Sequence, residues 1–308
     1  MSIAKPAVAA QTQAKAKVRA VAKPAGVRVL AVVPATVQAG KTVTTALKYL
    51  EEVDKLGCTS RTLWYRGIGN IEHKLIPSLF RHKSANTKAE FATLEADLNE
   101  TFRMRSFPYT ESFRWLDGEW DQLFFMQHYR LPTRLLDWSG SPLVALHFAL
   151  TSASIDASGL AESDAAVWVL DPNAWNSAVY AGTRFKGEVL SPKDSRLARY
   201  TPKEVYDSST NYSPVAMRGA HNSARIVAQQ GFFTIFGPEK SAMEKIFLEQ
   251  KNDAGAQMFP SNCLTKLIIP RANIENMKKE MFALGISEAT IYPDLEGLAI
   301  ELKRICGF

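Results

Sequence analysis

Cysteine is scarce in this chain. The three present, Cys58, Cys263 and Cys306, are widely spaced and form no Cys-x-x-Cys pair, which argues against a disulfide framework or a thiolate metal site. A reducing, cytoplasmic setting is expected. Long hydrophobic runs are also missing: the longest, residues 142–150, is about half of the roughly 20 residues a spanning helix needs. No membrane span is expected. The apolar stretch at residues 27–37 is broken by Arg28 and Pro34 and begins too far into the chain to read as the core of a secretory signal.

Acid is absent from the first 50 residues, and so is any aromatic before Tyr49. That stretch holds eight of the 37 Lys and Arg residues and none of the 31 Asp and Glu, which leaves 29 basic against 31 acidic side chains in residues 51–308. The net charge of +6 therefore belongs to the N-terminus, and the body is nearly neutral. With so few large side chains, residues 1–41 cannot bury enough surface to offset their ordering entropy, so a flexible basic arm is expected. Such an arm is suited to RNA or DNA through counterion release, or serves only to solubilise. Its composition also matches an organelle transit peptide, although Pro6, Pro24 and Pro34 interrupt any continuous amphipathic helix.

From Thr42 the texture changes. Val43, Ala46, Leu47, Leu50 and Val53 recur at helical spacing before Gly57, and Thr62 to Arg66 reads as a strand. Phe91, Leu94, Leu98 and Phe102 mark one helix face, and Trp120, Leu123, Phe124 and Gln127 mark another. Ser141-Pro142 is a helix start that runs to about Ser152, with a capping hydroxyl followed by a proline at the position where its missing N–H costs nothing. Later in the chain, residues 166–170, 226–236, 264–269 and 290–292 read as strands. Ile274, Met277, Met281 and Leu284 mark a further helix, and residues 297–306 a terminal one. Without strict strand–helix alternation the expected class is α+β: a single mixed domain over residues 42–308, with a loop-rich insertion at about 172–222.

Several regular signatures are absent. Gln38 to Thr42 ends like a phosphate-binding loop, but its first glycine would fall on Ala35. Gly67-Ile68-Gly69 lacks the third glycine of a dinucleotide turn, and Pro77 blocks an early helix. The five histidines, His221 included, show no metal-ligand spacing, so no metal site is expected. No Gly-x-Ser-x-Gly occurs.

Two segments carry chemistry. Leu63 to Gly67 ends a strand on Arg66, beside a glycine at which the backbone can approach a ligand, and its guanidinium can grip a phosphate through two parallel hydrogen bonds. A surface arginine beside a turn is the plainer reading. Met126 to Pro142 interleaves Gln127, His128, Arg134 and Asp137 with residues that favour burial. Partly buried charges require partners, so Arg134 and Asp137 either pair with each other or meet a ligand.

Both segments together resemble the FRG domain family: Tyr65-Arg66-Gly67, Ile76 to Arg81, the Pro-Thr-Arg-Leu-Leu-Asp-Trp core within residues 128–142, then Arg225 to Thr234, Lys266 to Pro270 and Tyr292 to Leu298. In order, the chain is also similar to ADP-ribosyltransferases of the Arg-Ser-Glu type: Arg66-Gly67 on a strand, Ser139-Gly140-Ser141 before an apolar helix, and a third strand on which Gln229-Gln230 stands in place of glutamate. That resemblance implies a split sheet with flanking helices and NAD as the substrate. It assigns Arg66 to the NAD diphosphate or adjoining ribose and Ser139 or Ser141 to the nicotinamide pocket, and the expected NAD-binding set is Tyr65, Arg66, Gly67, His128, Arg134, Ser139 and Ser141. The catalytic candidates are Arg66, Gln229, Asp137 and Glu296, because glutamine can hold a ribose hydroxyl without supplying the negative charge that an oxocarbenium-like state needs. Asp137, Asp294 or Glu296 would then provide it.

The expected activity is ADP-ribosylation of a macromolecule, protein or nucleic acid, by a bacterial toxin or phage-defence effector, with a neutralising antitoxin as the partner such a toxin would have. The competing reading is a non-enzymatic nucleic-acid-binding or regulatory module that uses the basic arm. A nucleotide hydrolase acting through Asp137 and His128 is a third.

Overall fold

The computed structural model describes residues 40–109, 118–207, 212–219, 224–251 and 255–308. The expected arm lies outside them except for its last two positions, where Lys41 already belongs to a strand. Seven strands form one mixed sheet: β1 (Lys41–Thr42), β2 (Trp64–Ile68), β3 (Leu135–Ser139), β4 (Ala165–Leu170), β5 (Val215–Arg218), β6 (Gly231–Ile235) and β7 (Leu264–Ile269). Their order is β1-β7-β4-β2-β3-β6-β5. β1 runs parallel to β7, and every other neighbouring pair is antiparallel. The protein is α+β. No helix among the described residues is long and apolar enough to cross a membrane.

Alternation along the strands sends side chains to two faces. Trp64, Ile68, Leu136, Trp138, Ala166 and Trp168 point to one face, where they meet Phe80, Phe91, Trp175 and Phe236. Tyr65, Val167, Val169, Leu267 and Ile269 point to the other, beneath three helices: α1 (Ala46–Lys55), α4 (Pro142–Thr151) and α8 (Ile274–Ala283). A third cluster joins β5 and β6 to α3 (Glu119–His128) through Met217, Phe233, Leu123 and Phe124. Local sequence sets the helix starts. Thr45 caps α1, Ser141 caps α4 ahead of Pro142, and α2 (Lys88–Ser106) opens on a reciprocal capping box between Thr87 and Glu90.

The sheet changes character between β2 and β3. Five residue pairs join β2 to β4 and five join β3 to β6, whereas β2 and β3 meet at the single pair Tyr65 and Ser139. Beyond that rung the strands part. The split sheet implied by resemblance is not formed as two sheets: among the described residues all the strands belong to one sheet.

Gly67 lies directly under α4: a Cβ there would overlap the carbonyl oxygen of Ala145, and one at Gly69 would overlap the backbone of Ser152. The glycine expected to let a ligand approach instead lets a helix cross the strand at closer than side-chain distance. Arg134 and Asp137 do not pair with each other. Arg134 is fully buried, and its Nε donates to both carboxylate oxygens of Glu95 on α2 (3.0 and 2.8 Å). Its remaining nitrogens donate to the carbonyls of Phe236 (2.5 Å) and Tyr200 (2.6 Å).

Two strand expectations fail locally. Residues 226–230 are not strand: α6 (Ala224–Ala228) is followed by a turn, with β6 starting only at Gly231. The run of Ile226 and Val227 favours β-structure only where a strand partner exists. Gln230 takes the left-handed conformation (φ 46°) that ends a helix, a place usually held by glycine. Residues 290–292 likewise have no strand neighbour and close a short helix, α9 (Glu288–Ile291). The region 172–222 supplies α5 (Pro172–Val179), a 3-10 turn at Ser195–Tyr200 and the edge strand β5.

Removing Glu95 leaves a buried guanidinium uncompensated, which typically costs about 3–5 kcal/mol. Urea denaturation of Glu95→Ala is expected to show a loss of that order, while Glu51→Ala, at an exposed position on α1, stays within about 0.5 kcal/mol of the parent.

Candidate functional site

Where β2 and β3 part, they open a cavity of about 390 Å³, within the size range of ligand pockets. Arg66 reaches across the gap. Its Nη1 donates to the main-chain carbonyl of Asp137 (2.7 Å) and stands 3.7 Å from the Asp137 carboxylate. The arginine thus satisfies a backbone acceptor on β3 beyond its last rung with β2. Its side chain is 19% exposed, and burial together with nearby Arg81 lowers its pKa against the opposing pull of Asp137. Arg81 is held from behind by the Ile76 carbonyl, to which Nε and Nη2 donate (3.1 and 2.8 Å). Burial lowers its pKa as well.

The Asp137 carboxylate is 55% exposed at the cleft. Its Oδ2 accepts from the Gln127 amide (2.8 Å), and the amide oxygen of Gln127 accepts from the Thr133 hydroxyl. That hydroxyl accepts from the Leu135 N–H (3.1 Å), so its proton is free for Gln127. The amide is thereby oriented with its NH₂ toward Asp137. Asp137 is the single carboxylate among the described residues lining the cavity, against Arg66, Arg81, Arg130 and Arg225. Such a lining favours an anion. Phe232, stacked on Trp64 with ring centroids 4.7 Å apart, adds a flat apolar wall.

Of the expected catalytic set, Arg66, Asp137 and Gln229 line this cleft, whereas Glu296 does not. Glu296 lies with Asp294 in a neighbouring hollow of about 460 Å³ that shares His128, Arg130 and Arg225 with the cleft. Gln229 sits in the turn after α6 and donates from its side chain to the Ile291 carbonyl (3.4 Å). The expected binding set divides too. Tyr65, Gly67, His128 and Ser139 line the cavity with Arg66. Ser139 is committed locally, donating to the Gln229 carbonyl (2.7 Å) and accepting from the Ser141 N–H (3.0 Å). Ser141 caps α4 through the Val144 N–H (3.4 Å) and does not line the cavity. Arg134 cannot touch a ligand in the cleft because it is fully buried against Glu95.

Sequence reasoning missed Arg81, Arg130 and Arg225 as site residues, and read Gln127 only as a polar residue within an apolar stretch. Arg81 had a signal, since it ends the Ile76 to Arg81 segment already matched by resemblance. Arg130 and Arg225 lie in matched segments as well, within residues 128–142 and at the start of Arg225 to Thr234, and Arg130 takes a left-handed backbone (φ 61°). No group of three or more His, Cys, Asp or Glu side chains converges among the described residues, and His221 lies outside them.

A family model described as the FRG domain matches residues 61–157. This segment is an FRG domain, and it carries β2, Arg81, α2, α3, β3 and α4 and with them most of the residues that line the cleft. No curated protein and no solved structure matches the chain.

Burial lowers the pKa of His128 in the cleft, helped by Arg225, and also that of His147 on α4. A histidine with a depressed folded-state pKa contributes stability above its unfolded value, about 6.5, and that stability is lost as pH falls. Thermal unfolding between about pH 5 and 8 is expected to show a midpoint that declines on the acid side, and His147→Phe should flatten the decline.

Proposed function

We propose that the cleft binds NAD and that the protein transfers ADP-ribose from it to a macromolecule. One observation supports this above the others: the first two segments of the Arg-Ser-Glu order lie on the neighbouring strands β2 and β3, the third lies in the turn that leads into the next strand, β6, and all three border a single cleft. The third carries glutamine, and a carboxylate beside Arg66 comes from β3 instead, as Asp137.

In this reading Arg66 and Arg81 take the diphosphate, and the Phe232 side of the cavity takes a flat ring. Cleavage breaks the bond between ribose C1′ and the nicotinamide nitrogen, and the electron pair leaves with neutral nicotinamide. Asp137, oriented by Gln127, faces the positive charge that develops on the ribose. The acceptor's nucleophilic atom then bonds to C1′ and loses its proton to solvent. A toxin or phage-defence effector acting in the cytoplasm, checked by an antitoxin, is the biological role consistent with that chemistry.

The test is incubation of the purified protein with labelled NAD and a cell lysate. Label on protein, RNA or DNA together with free nicotinamide is expected; absence of both would sink the reading. Arg66→Ala should abolish transfer while leaving the fold intact by circular dichroism. Asp137→Asn should lower the rate by about 10²–10³-fold, as loss of one electrostatic stabiliser does, with NAD binding retained. A polyanion-binding module without catalysis behaves differently: Asp137→Asn would tighten its binding, and no nicotinamide would appear with either protein.

A further inference from the structure

A hollow of about 340 Å³ lies where α4, α8, α9 and the terminal helix α10 (Leu295–Ile305) meet. It falls within the size range of ligand pockets and, among the described residues, has no lining residue in common with the cleft. Leu150, Met281, Phe282 and Ile286 give it apolar walls. His147 stands among them, 5% exposed, as the one polar residue between Leu143 and Leu150 of α4. Its ring makes no hydrogen bond among the described residues, yet neither nitrogen is sealed off by protein atoms, so both open on the hollow. A polar group held in an apolar setting without a partner costs free energy that a leucine at the same place would not. Burial lowers the pKa of the ring against the pull of Glu288, and a neutral imidazole offers one N–H donor and one lone pair. The remaining lining is charged. Lys278 pairs with Glu275 (2.6 Å), and Arg304 Nε donates to both carboxylate oxygens of Glu288 (3.0 and 3.1 Å). Among the described residues the two Nη groups of Arg304 donate to nothing, and Lys279 has neither hydrogen bond nor ion pair.

We propose that this hollow binds a small organic acid, its single carboxylate held by donors of Arg304, Lys279 and His147 and its apolar body laid against Leu150, Met281 and Ile286. Three features select that chemistry. First, Lys278, Lys279 and Arg304 stand against Glu275 and Glu288 in the lining, a surplus of one positive charge that a monoanion neutralises and a cation would meet with repulsion. Second, the groups left without partners are a guanidinium edge, an ammonium and an imidazole N–H, and a carboxylate, which only accepts, can satisfy all three. Third, an inorganic anion would leave the apolar walls in water, whereas a hydrocarbon body covers them, at roughly 25 cal/mol for each Å² removed from water. The imidazole supplies the element that the surface charges lack: a neutral donor at the base of the hollow, which fixes where the carboxylate must sit.

This inference is independent of the cleft chemistry. Phenylacetate serves as the probe, titrated near neutral pH into the full chain carrying isotope-labelled histidine rings, with the His147 signal identified by its loss in His147→Phe. A saturable shift of that signal is expected, with a Kd in about the millimolar range of so small a fragment, while the His128 signal from the cleft stays in place. Phenylacetamide, which has the same shape without the charge, should bind at least about tenfold more weakly. Lys279→Glu, at an exposed position with no partner to lose among the described residues, should weaken phenylacetate about three- to tenfold and keep the parent's thermal midpoint. A His147 signal unmoved at about 20 mM phenylacetate, well above that range, would overturn the proposal. A shift of the His128 signal alone would assign the acid to the cleft and overturn it as well. Equal binding of phenylacetate and phenylacetamide, or indifference to Lys279→Glu, would overturn the assignment of an acid.

Discussion

A fully buried guanidinium sets the geometry on which the cleft rests. Arg134 immediately precedes β3, and its three nitrogens donate to Glu95 on α2, the Phe236 carbonyl just past β6 and the Tyr200 carbonyl of the 3-10 turn. A buried charge of this kind tolerates little displacement, because any loss of a partner exposes the desolvation cost of the rest. The start of β3 is thereby pinned to three separate parts of the chain. Three residues later stands Asp137, whose position relative to Arg66 follows from where that strand begins. The arginine held in the core thus places the carboxylate that lines the cleft.

The cleft follows from a second constraint, at the other end of the same two strands. Gly67 and Gly69 allow α4 to lie against β2 with no side chain between them, and Ser141 and Pro142 start that helix immediately after β3. β2 and β3 are consequently held together at Tyr65 and Ser139 and diverge beyond. Divergence would strand unpaired backbone groups, and an unmatched buried acceptor is costly. Arg66 meets part of that need by donating to the Asp137 carbonyl. The same guanidinium that closes the gap in the sheet also lines the cavity, already largely desolvated by burial.

Charge is partitioned sharply between these two sites. Arg134 and Glu95 neutralise each other in the core, whereas among the described residues four arginines line a cavity with one carboxylate. The near-neutral charge of residues 51–308 conceals this asymmetry, since surface acids elsewhere offset the cleft. Net charge reports on neither site.

Much of the local structure was legible along the chain. The spacing of Phe91, Leu94 and Leu98, the Ser141-Pro142 start and the strand at Arg66 all follow from rules that act over a few residues, and the structure agrees with them. The class α+β was legible for the same reason. The strand β3 was not, because residues 135–139 mix apolar and charged side chains whose alternation makes sense only once both sheet faces are known. The runs at 226–230 and 290–292 looked extended by composition, but extension needs a neighbouring strand, and neither has one.

Arg66 and Asp137 were both singled out from sequence, yet their pairing with each other was not, since 71 residues separate them and no local rule spans that distance. Arg134 was assigned to the ligand on residue type, where tertiary packing gave it to Glu95. The amino-acid sequence by itself determined where the capped helices begin, the strand at Arg66 and which residue types are available for chemistry. Only the tertiary structure decided which charges are spent on holding the fold and which remain to face a ligand, because that depends on contacts between residues far apart in the chain.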